Sequence, residues 1–254
     1  MSGLRQGAGR SALIFGATSP VARALAREFA RCGYELFLAG RAGEDLEAVA
    51  SDLRIRHRVS AHACPLDALA FETHAAFFEA VAARTGESLY VAVFCIGSMS
   101  DQKAAERDWD AARAMLDTNY TAAVSLLERT AAYFEPRKRG VIGVVGSVAG
   151  DRGRQSNYLY GSAKAGLAAY AQGLRNRLWR SGVQVTTIKP GFLDTRMTWG
   201  KPGLFGVATP ERAAEGIFAA LAAGRDVAYV PGFWRGIMLL IGAVPERVFK
   251  RLKL

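Results

Sequence analysis

Residues 12–30, ALIFGATSPVARALAREFA, pass from a short apolar run through a glycine-containing turn into a helical pattern. Residues 12–15 read as a buried strand, Gly16-Ala17-Thr18-Ser19-Pro20 as the turn, and residues 21–30 as a helix with Ala22, Leu25 and Phe29 on one side. Pro20 suits a first helical turn, where its missing N–H costs little. A strand that feeds such a turn and a helix N-terminus is where a pyrophosphate binds, because the first N–H groups of a helix have no partners within it. Pro20 and Ala22 stand where the second and third glycines of a dinucleotide fingerprint would be, so alone the turn also fits an ordinary strand-to-helix connection. Gly16, Thr18, Ser19, Pro20 and Val21 are the candidate contacts to a cofactor phosphate.

Outward from this unit the alternation continues. Residues 35–39 form a second strand ending at Gly40-Arg41. An acidic residue there would bond the ribose 2′-OH of NAD; a guanidinium suits a 2′-phosphate. NADP(H) is therefore favoured, with NAD(H) as the alternative if Arg41 merely stacks on adenine or caps a turn. Helices are expected over 46–55, 71–84, 108–115, 118–133, 157–180 and 210–223, and strands over 59–64, 89–95, 141–145, 183–188 and 226–230. Asp67 follows the third strand, close to where a loop residue meets an adenine amine, and Gly97 follows the fourth, where it lets backbone approach the cofactor. About seven units without linker or repeat imply one doubly wound α/β domain with a parallel, Rossmann-like sheet over residues 1–232.

Composition sets the bounds. The chain has 254 residues, half of them hydrophobic, enough for a sizeable core. The net charge of +10, mostly from arginine, fits a solvated surface, an attraction to an anionic membrane, or a phosphate-bearing substrate. No nucleic-acid motif is present, and nucleic acid is not expected. Cys32, Cys64 and Cys95 lack a CxxC pattern and read as buried thiols of a reducing compartment. His57, His62 and His74 lack ligand spacing, so no metal is expected. Residues 1–10 are polar, glycine-rich and read as disordered; with no export signal apparent, the cytoplasm is the expected location.

The chemistry concentrates in SVAGDRGRQSNYLYGSAK, residues 147–164. Tyr160 and Lys164 stand at i and i+4, on one helix face. An ammonium beside a phenol would lower its pKa from about 10, and such a phenol can exchange a proton with a developing alkoxide. Ser147, after the strand 141–145, could bond the same oxygen. The three suit carbonyl/alcohol interconversion, although a Tyr-x-x-x-Lys pair alone also fits a solvated helix face. Asn119, in NYTAAVSLL, reads as a cap or a satisfied core amide on its own. Gly161, Ala165, Gly166 and Ala169 allow close packing of this helix on a neighbour or a second subunit, and a homo-oligomer is expected. Gly200, Gly203 and Gly206 mark a candidate substrate lid or an ordinary surface loop.

Residues 233–254 differ from the rest. FWRGIMLLIGAVP is strongly apolar but shorter than the roughly 20 residues that span a bilayer. ERVFKRLKL is basic and amphipathic. The pair fits a helical tail anchored at a membrane interface, or one packed over the substrate mouth or a dimer interface.

Taken together, Gly16 with its turn, Asn119, Ser147, Tyr160-x-x-x-Lys164 and Pro190-Gly191 followed by Thr195 resemble the short-chain dehydrogenase/reductase family over residues 11–230. The resemblance implies a nicotinamide cofactor and a catalytic set of Asn119, Ser147, Tyr160 and Lys164. It also implies cofactor contacts from Tyr160, Lys164, Pro190, Gly191, Leu193 and Thr195. Cys95-Ile96, where the family often has Asn-Ala, is a departure. NYTAAVS, KPGFLDTRM and the tail narrow the likeness to a branch that reduces a 2-keto pentofuranose on a polyprenyl phosphate. That branch implies a flavoprotein oxidase partner that makes the ketone, and a peripheral place at the inner membrane face. Other lipid or steroid-like ketones, and a non-catalytic dinucleotide-binding redox sensor, are the rival expectations.

Overall fold

The computed structural model describes residues 3–41, 43–200 and 203–252. In chain order its elements are β1 (Ser11–Phe15), α1 (Pro20–Arg31), β2 (Glu35–Gly40), α2 (Glu44–His57), β3 (Ala61–Pro65), α3 (His74–Thr85), β4 (Leu89–Phe94), α4 (Gln102–Ala105), α5 (Trp109–Leu116), α6 (Ala122–Arg137), β5 (Val141–Val145), α7 (Tyr158–Trp179), β6 (Gln184–Pro190), α8 (Pro210–Ala222), β7 (Val227–Val230), α9 (Trp234–Ala243) and α10 (Glu246–Phe249). The strands form one parallel sheet in the order β3-β2-β1-β4-β5-β6-β7. The chain builds outward from β1 to β3, then returns to the other side of β1. This reversal opens a crevice at the C-terminal ends of β1 and β4, where ligands bind in such sheets.

Burial on both faces explains the near-continuous apolar strands; β1 has no exposed residue. One face packs α1, α2 and α8 through Leu25, Phe29, Leu46 and Phe218. The other packs α3, α6 and α7 through Phe78, Phe134, Leu167 and Leu178. The doubly wound fold expected from the sequence is therefore present.

Local differences have local causes. The third strand starts at Ala61 rather than residue 59, because Arg58 turns left-handed (φ 55°) to end α2. Phe71–Thr73 is a 3-10 turn ahead of α3. A π-helical turn, Asp117–Thr121, joins α5 to α6. Helix α4, capped by the Asp101 side chain on Ala104 N–H, had no counterpart in the sequence reading. Residues 3–10 are not the disordered arm the sequence suggested: Leu4 is buried, Gly7 N–H donates to Cys32 C=O (2.8 Å), and the Arg10 guanidinium lies 4.2 Å from the Tyr90 ring centre. Met1 and Ser2 lie outside the described residues. Cys64 is buried, while Cys32 and Cys95 are partly exposed.

The tail folds back on the domain beside the crevice. Trp234 is 1% exposed, stacked on Phe205 and edge-on to Phe192. Arg152 donates to the carbonyls of Ile241, Gly242 and Val244 at 3.2, 2.9 and 2.8 Å, so a side chain about ninety residues upstream satisfies the end of α9. The same guanidinium pairs with Glu246 (2.8 Å) and covers the Phe249 ring. Leu239 and Leu240 on α9 remain exposed. Among the described residues no helix is long and apolar enough to cross a membrane. Within the candidate lid, Lys201 and Pro202 lie outside the described residues; Gly200, Gly203 and Gly206 have φ of 72°, 74° and 61°.

Candidate active site

Ser147 leaves β5 extended, and its hydroxyl accepts the Ala149 N–H (3.1 Å) to start the 3-10 turn Val148–Gly150. That turn presses on α7. A Cβ on Gly150 would stand 2.7 Å from the Lys164 carbonyl carbon, and one on Gly161 2.9 Å from Ala149 O. The two glycines permit the approach that brings Ser147 to Tyr160 and Lys164. Lys164 Nζ lies 5.8 Å from the Tyr160 ring centre and donates to Val145 C=O at 3.4 Å.

Asn119 sits on the π-helical turn, a device that re-aims a side chain from an otherwise regular helix. It is fully buried. Its Nδ2 donates to Ser98 O (2.7 Å) and Met115 O (2.8 Å), and its Oδ1 accepts Ser98 N–H (3.3 Å). Oδ1 keeps a second lone pair. Gly97 lies between the groups: a Cβ there would be 3.1 Å from Asn119 Oδ1 and 3.3 Å from Lys164 Nζ. Asn119, Ser147, Tyr160 and Lys164 thus converge beyond the ends of β4 and β5.

Burial dominates the electrostatics. It pushes the Tyr160 phenol up to about 12, only partly offset by the Ser147 hydroxyl. It pulls the Lys164 ammonium down to about 8, with a small opposite contribution from Cys95. The expectation that Lys164 lowers the Tyr160 pKa is therefore corrected. Stripping water from the phenolate outweighs the help of the Ser147 hydroxyl, and the Lys164 ammonium, 5.8 Å from the ring centre, does not offset it. Tyr160 holds its proton at neutral pH.

The crevice is a cleft of about 1140 Å³. At one end, Gly16 needs both its left-handed φ of 76° and its missing side chain, since a Cβ would stand 3.0 Å from the Cys95 carbonyl and Ile96 N. Ser19 caps α1 by accepting Ala22 N–H (3.3 Å), with Pro20 at the first helical position. Gly16, Thr18, Ser19, Pro20 and Val21 wall this end; Arg41, Asp67 and Gly97 join them. Arg23, one turn into α1 and 3.9 Å from Asp45, lines it as well and was missed by the sequence reading, although it lies three residues after Pro20. The elongated cleft and its side-chain-free floor at Gly16 and Gly97 fit a dinucleotide.

Ser147, Tyr160 and Lys164 line the middle, and Pro190, Gly191, Leu193 and Thr195 the other end. Asn119 stands behind them. Arg154, Phe205 and Trp234 line the far wall too; Phe205 lies in the candidate lid and Trp234 in the tail that the sequence allowed to pack over the substrate mouth, while Arg154 was not foreseen. A Cβ on Gly191 would lie 1.9 Å from Trp234 Nε1, so glycine is needed under the indole. Beneath, Asp151 is bonded by Lys189 and by Tyr229 O–H (2.8 Å), which pins the loop after β5 to β6 and β7. No local spacing signals contacts between residues this far apart in sequence.

Residues 10–202 match the short chain dehydrogenase family. An uncharacterized oxidoreductase of Mycobacterium tuberculosis strain H37Rv is 36% identical over 240 residues, covering 94% of this chain and 96% of that one. An uncharacterized oxidoreductase of Streptomyces coelicolor is 36% identical over 246 residues, covering 96% of each. The solved short-chain dehydrogenase from Sphingobium yanoikuyae in complex with NADPH superposes with a TM-score of 0.81 at 23% identity, covering 93% of this chain and 97% of that one.

Proposed function

The chain belongs to the short-chain dehydrogenase/reductase family and is an NAD(P)-dependent oxidoreductase, and from that premise we propose that it works as a carbonyl reductase, with Tyr160 as the proton donor. The observation that carries this reading is the convergence of Ser147, Tyr160 and Lys164 in one cleft with a phenol that keeps its proton. An alkoxide is far more basic than a phenol of pKa about 12, so the proton moves readily from Tyr160 to the reduced oxygen. Ser147 holds and polarises the carbonyl oxygen. Lys164 holds the cofactor ribose, and the free lone pair of Asn119 holds a water that returns a proton toward Lys164. The bound cofactor, when reduced, supplies the hydride. Thr195 and the Pro190-Gly191 backbone orient the carboxamide end, while Gly16 to Val21 hold the pyrophosphate. Arg41 and Arg23 at the opposite end favour NADP(H) over NAD(H).

The substrate we propose is a 2-keto pentofuranose on a polyprenyl phosphate, as in decaprenylphosphoryl-2-keto-ribose, reduced to the arabino epimer. The sequence stretches NYTAAVS and KPGFLDTRM, the tail and the net charge of +10 support it. In this reading residues 1–232 carry the chemistry. In the tail, Trp234 and Ile241 wall the substrate end, and the tail rests on the inner face of a membrane through Phe233, Leu239 and Leu240, with Arg247, Lys250 and Arg251 following them in sequence. A flavoprotein oxidase supplies the ketone, and a second copy packs on the α7 side, where Tyr120 and Tyr158 are exposed. Another lipophilic ketone is the second reading, favoured by the aromatic wall of Phe192, Phe205 and Trp234.

The test is cofactor absorbance with NADPH or NADH and the product of a polyprenylphosphoryl-ribose oxidase. Wild type should oxidise the cofactor and yield the arabino epimer, and Tyr160→Phe should lose about 10²–10⁴-fold in kcat. Reduction of a plain lipophilic ketone without turnover of the keto-sugar would move the assignment to the second reading.

A further inference from the structure

Arg154 enters the substrate end of the cleft from the loop between β5 and α7. Among the described residues its buried Nε has no partner, and the one acceptor that Nη2 meets is the thioether of Met238, at 3.3 Å. A thioether is a weak acceptor, while a guanidinium has five N–H donors. Burial lowers its pKa, opposed in part by the charge of Asp151. The carboxylates around it are committed elsewhere: Asp151 is held by Lys189 and Tyr229, and Glu246 by Arg152. Among the described residues, Arg154 forms no ion pair within 4.0 Å.

The distribution of charge along the cleft sharpens the point. Among the described residues lining it, the acids are Asp45 and Asp67, both at the Arg41 end. The half beyond β5 and β6 holds Arg154 and, at the rim, the exposed Arg196, with no acid. A half-buried guanidinium without an acceptor is costly, and an oxyanion removes that cost by taking paired hydrogen bonds from it.

We propose that Arg154, assisted by Arg196, recognises an oxyanion carried by the carbonyl substrate itself, a phosphate ester or a carboxylate. The assignment rests on the carbonyl-reductase reading and narrows its substrates to anionic carbonyl compounds. It makes Arg154 a specificity residue that has no part in the proton step.

Three aldehydes of one ring size test it: 4-formylphenyl phosphate, 4-carboxybenzaldehyde and methyl 4-formylbenzoate, each with NADPH. Wild type should show a KM about tenfold or more lower for at least one charged compound than for the ester, and whether phosphate or carboxylate wins identifies the anion. In Arg154→Gln and Arg154→Met that preference should collapse to about one, and Arg154→Lys should restore part of it. Equal KM values in wild type, or variants that shift all three compounds alike, overturn the proposal. A binding arm separates its failure from that of the parent reading. Phenyl phosphate, benzoate and benzamide are titrated by calorimetry into the NADP⁺-loaded protein. Charged ligands that bind wild type and not Arg154→Gln, in a protein that reduces neither the aldehydes nor the polyprenylphosphoryl keto-sugar, would uphold the anion site and sink the reductase assignment. Benzamide binding as tightly as both anions would sink the anion site.

Discussion

The two ends of the cleft are made of different material. The Arg41 end is mostly backbone: a left-handed Gly16, the first turn of α1 and the ends of β1, β2 and β4, with Gly16 and the first turn of α1 adjacent in sequence. The Trp234 end is side chains drawn together from far apart, with Arg154 on Met238, Trp234 on Gly191 and Phe205, and Asp151 on Lys189 and Tyr229. A site for a shared cofactor can be written in a short stretch of turn and helix. A site for a particular substrate is assembled by tertiary packing, and can change without disturbing the first.

The largest expected effect lies at the seam between the ends. The fall of the Lys164 pKa from 10.5 to about 8 corresponds to about 3 kcal/mol of native-state cost. That cost is fully present below pH 8 and fades between pH 8 and 10.5, because a depressed lysine binds fewer protons folded than unfolded. Lys164→Met should therefore be inactive yet more stable to urea at pH 7, with the gain vanishing toward pH 10.5. A variant less stable than wild type at pH 7 would break the claim that this ammonium is held for chemistry at a cost in stability.

Gly191→Ala probes the side-chain end. Its methyl would overlap the Trp234 indole, and overpacking of this kind costs about 1–3 kcal/mol. A lower melting temperature is expected, with a red-shifted tryptophan emission as the indole leaves its pocket. Trp234→Ala in the same chain should recover most of the loss that the methyl causes. A Gly191→Ala protein that melts like wild type would mean the tail does not fix this wall.

The smallest effect belongs to the backbone end. Arg41→Gln should weaken NADPH by about tenfold, roughly 1.4 kcal/mol, and leave NADH nearly unchanged, as read by cofactor fluorescence. Equal losses for both cofactors would return Arg41 to stacking on adenine and remove the preference for the 2′-phosphate.

This division also explains what the sequence disclosed. Gly16, Ser147, Tyr160 and Lys164 were legible because each is bound to a strand end or a helical repeat, and those periods survive in one dimension. The direction of the Tyr160 shift was not legible, since spacing shows which charge is near but not how little water reaches the phenol. The order in residues 3–10 was hidden because glycine there packs under Tyr34 rather than loosening the chain. Arg154 stood in plain view in DRGR, but its significance depends on which carboxylates nearby are already taken.

Arg152 has a consequence for the ancestry of such chains. It finishes α9 from about ninety residues upstream, doing the work that a local stop signal does elsewhere. Position 152 and the segment that follows α9 therefore cannot drift independently. A chimera that takes its C-terminal helices from one relative and its sheet from another inherits a helix separated from its cap. Recombination between relatives should be tolerated on either side of the pair, and penalised wherever a crossover falls between them.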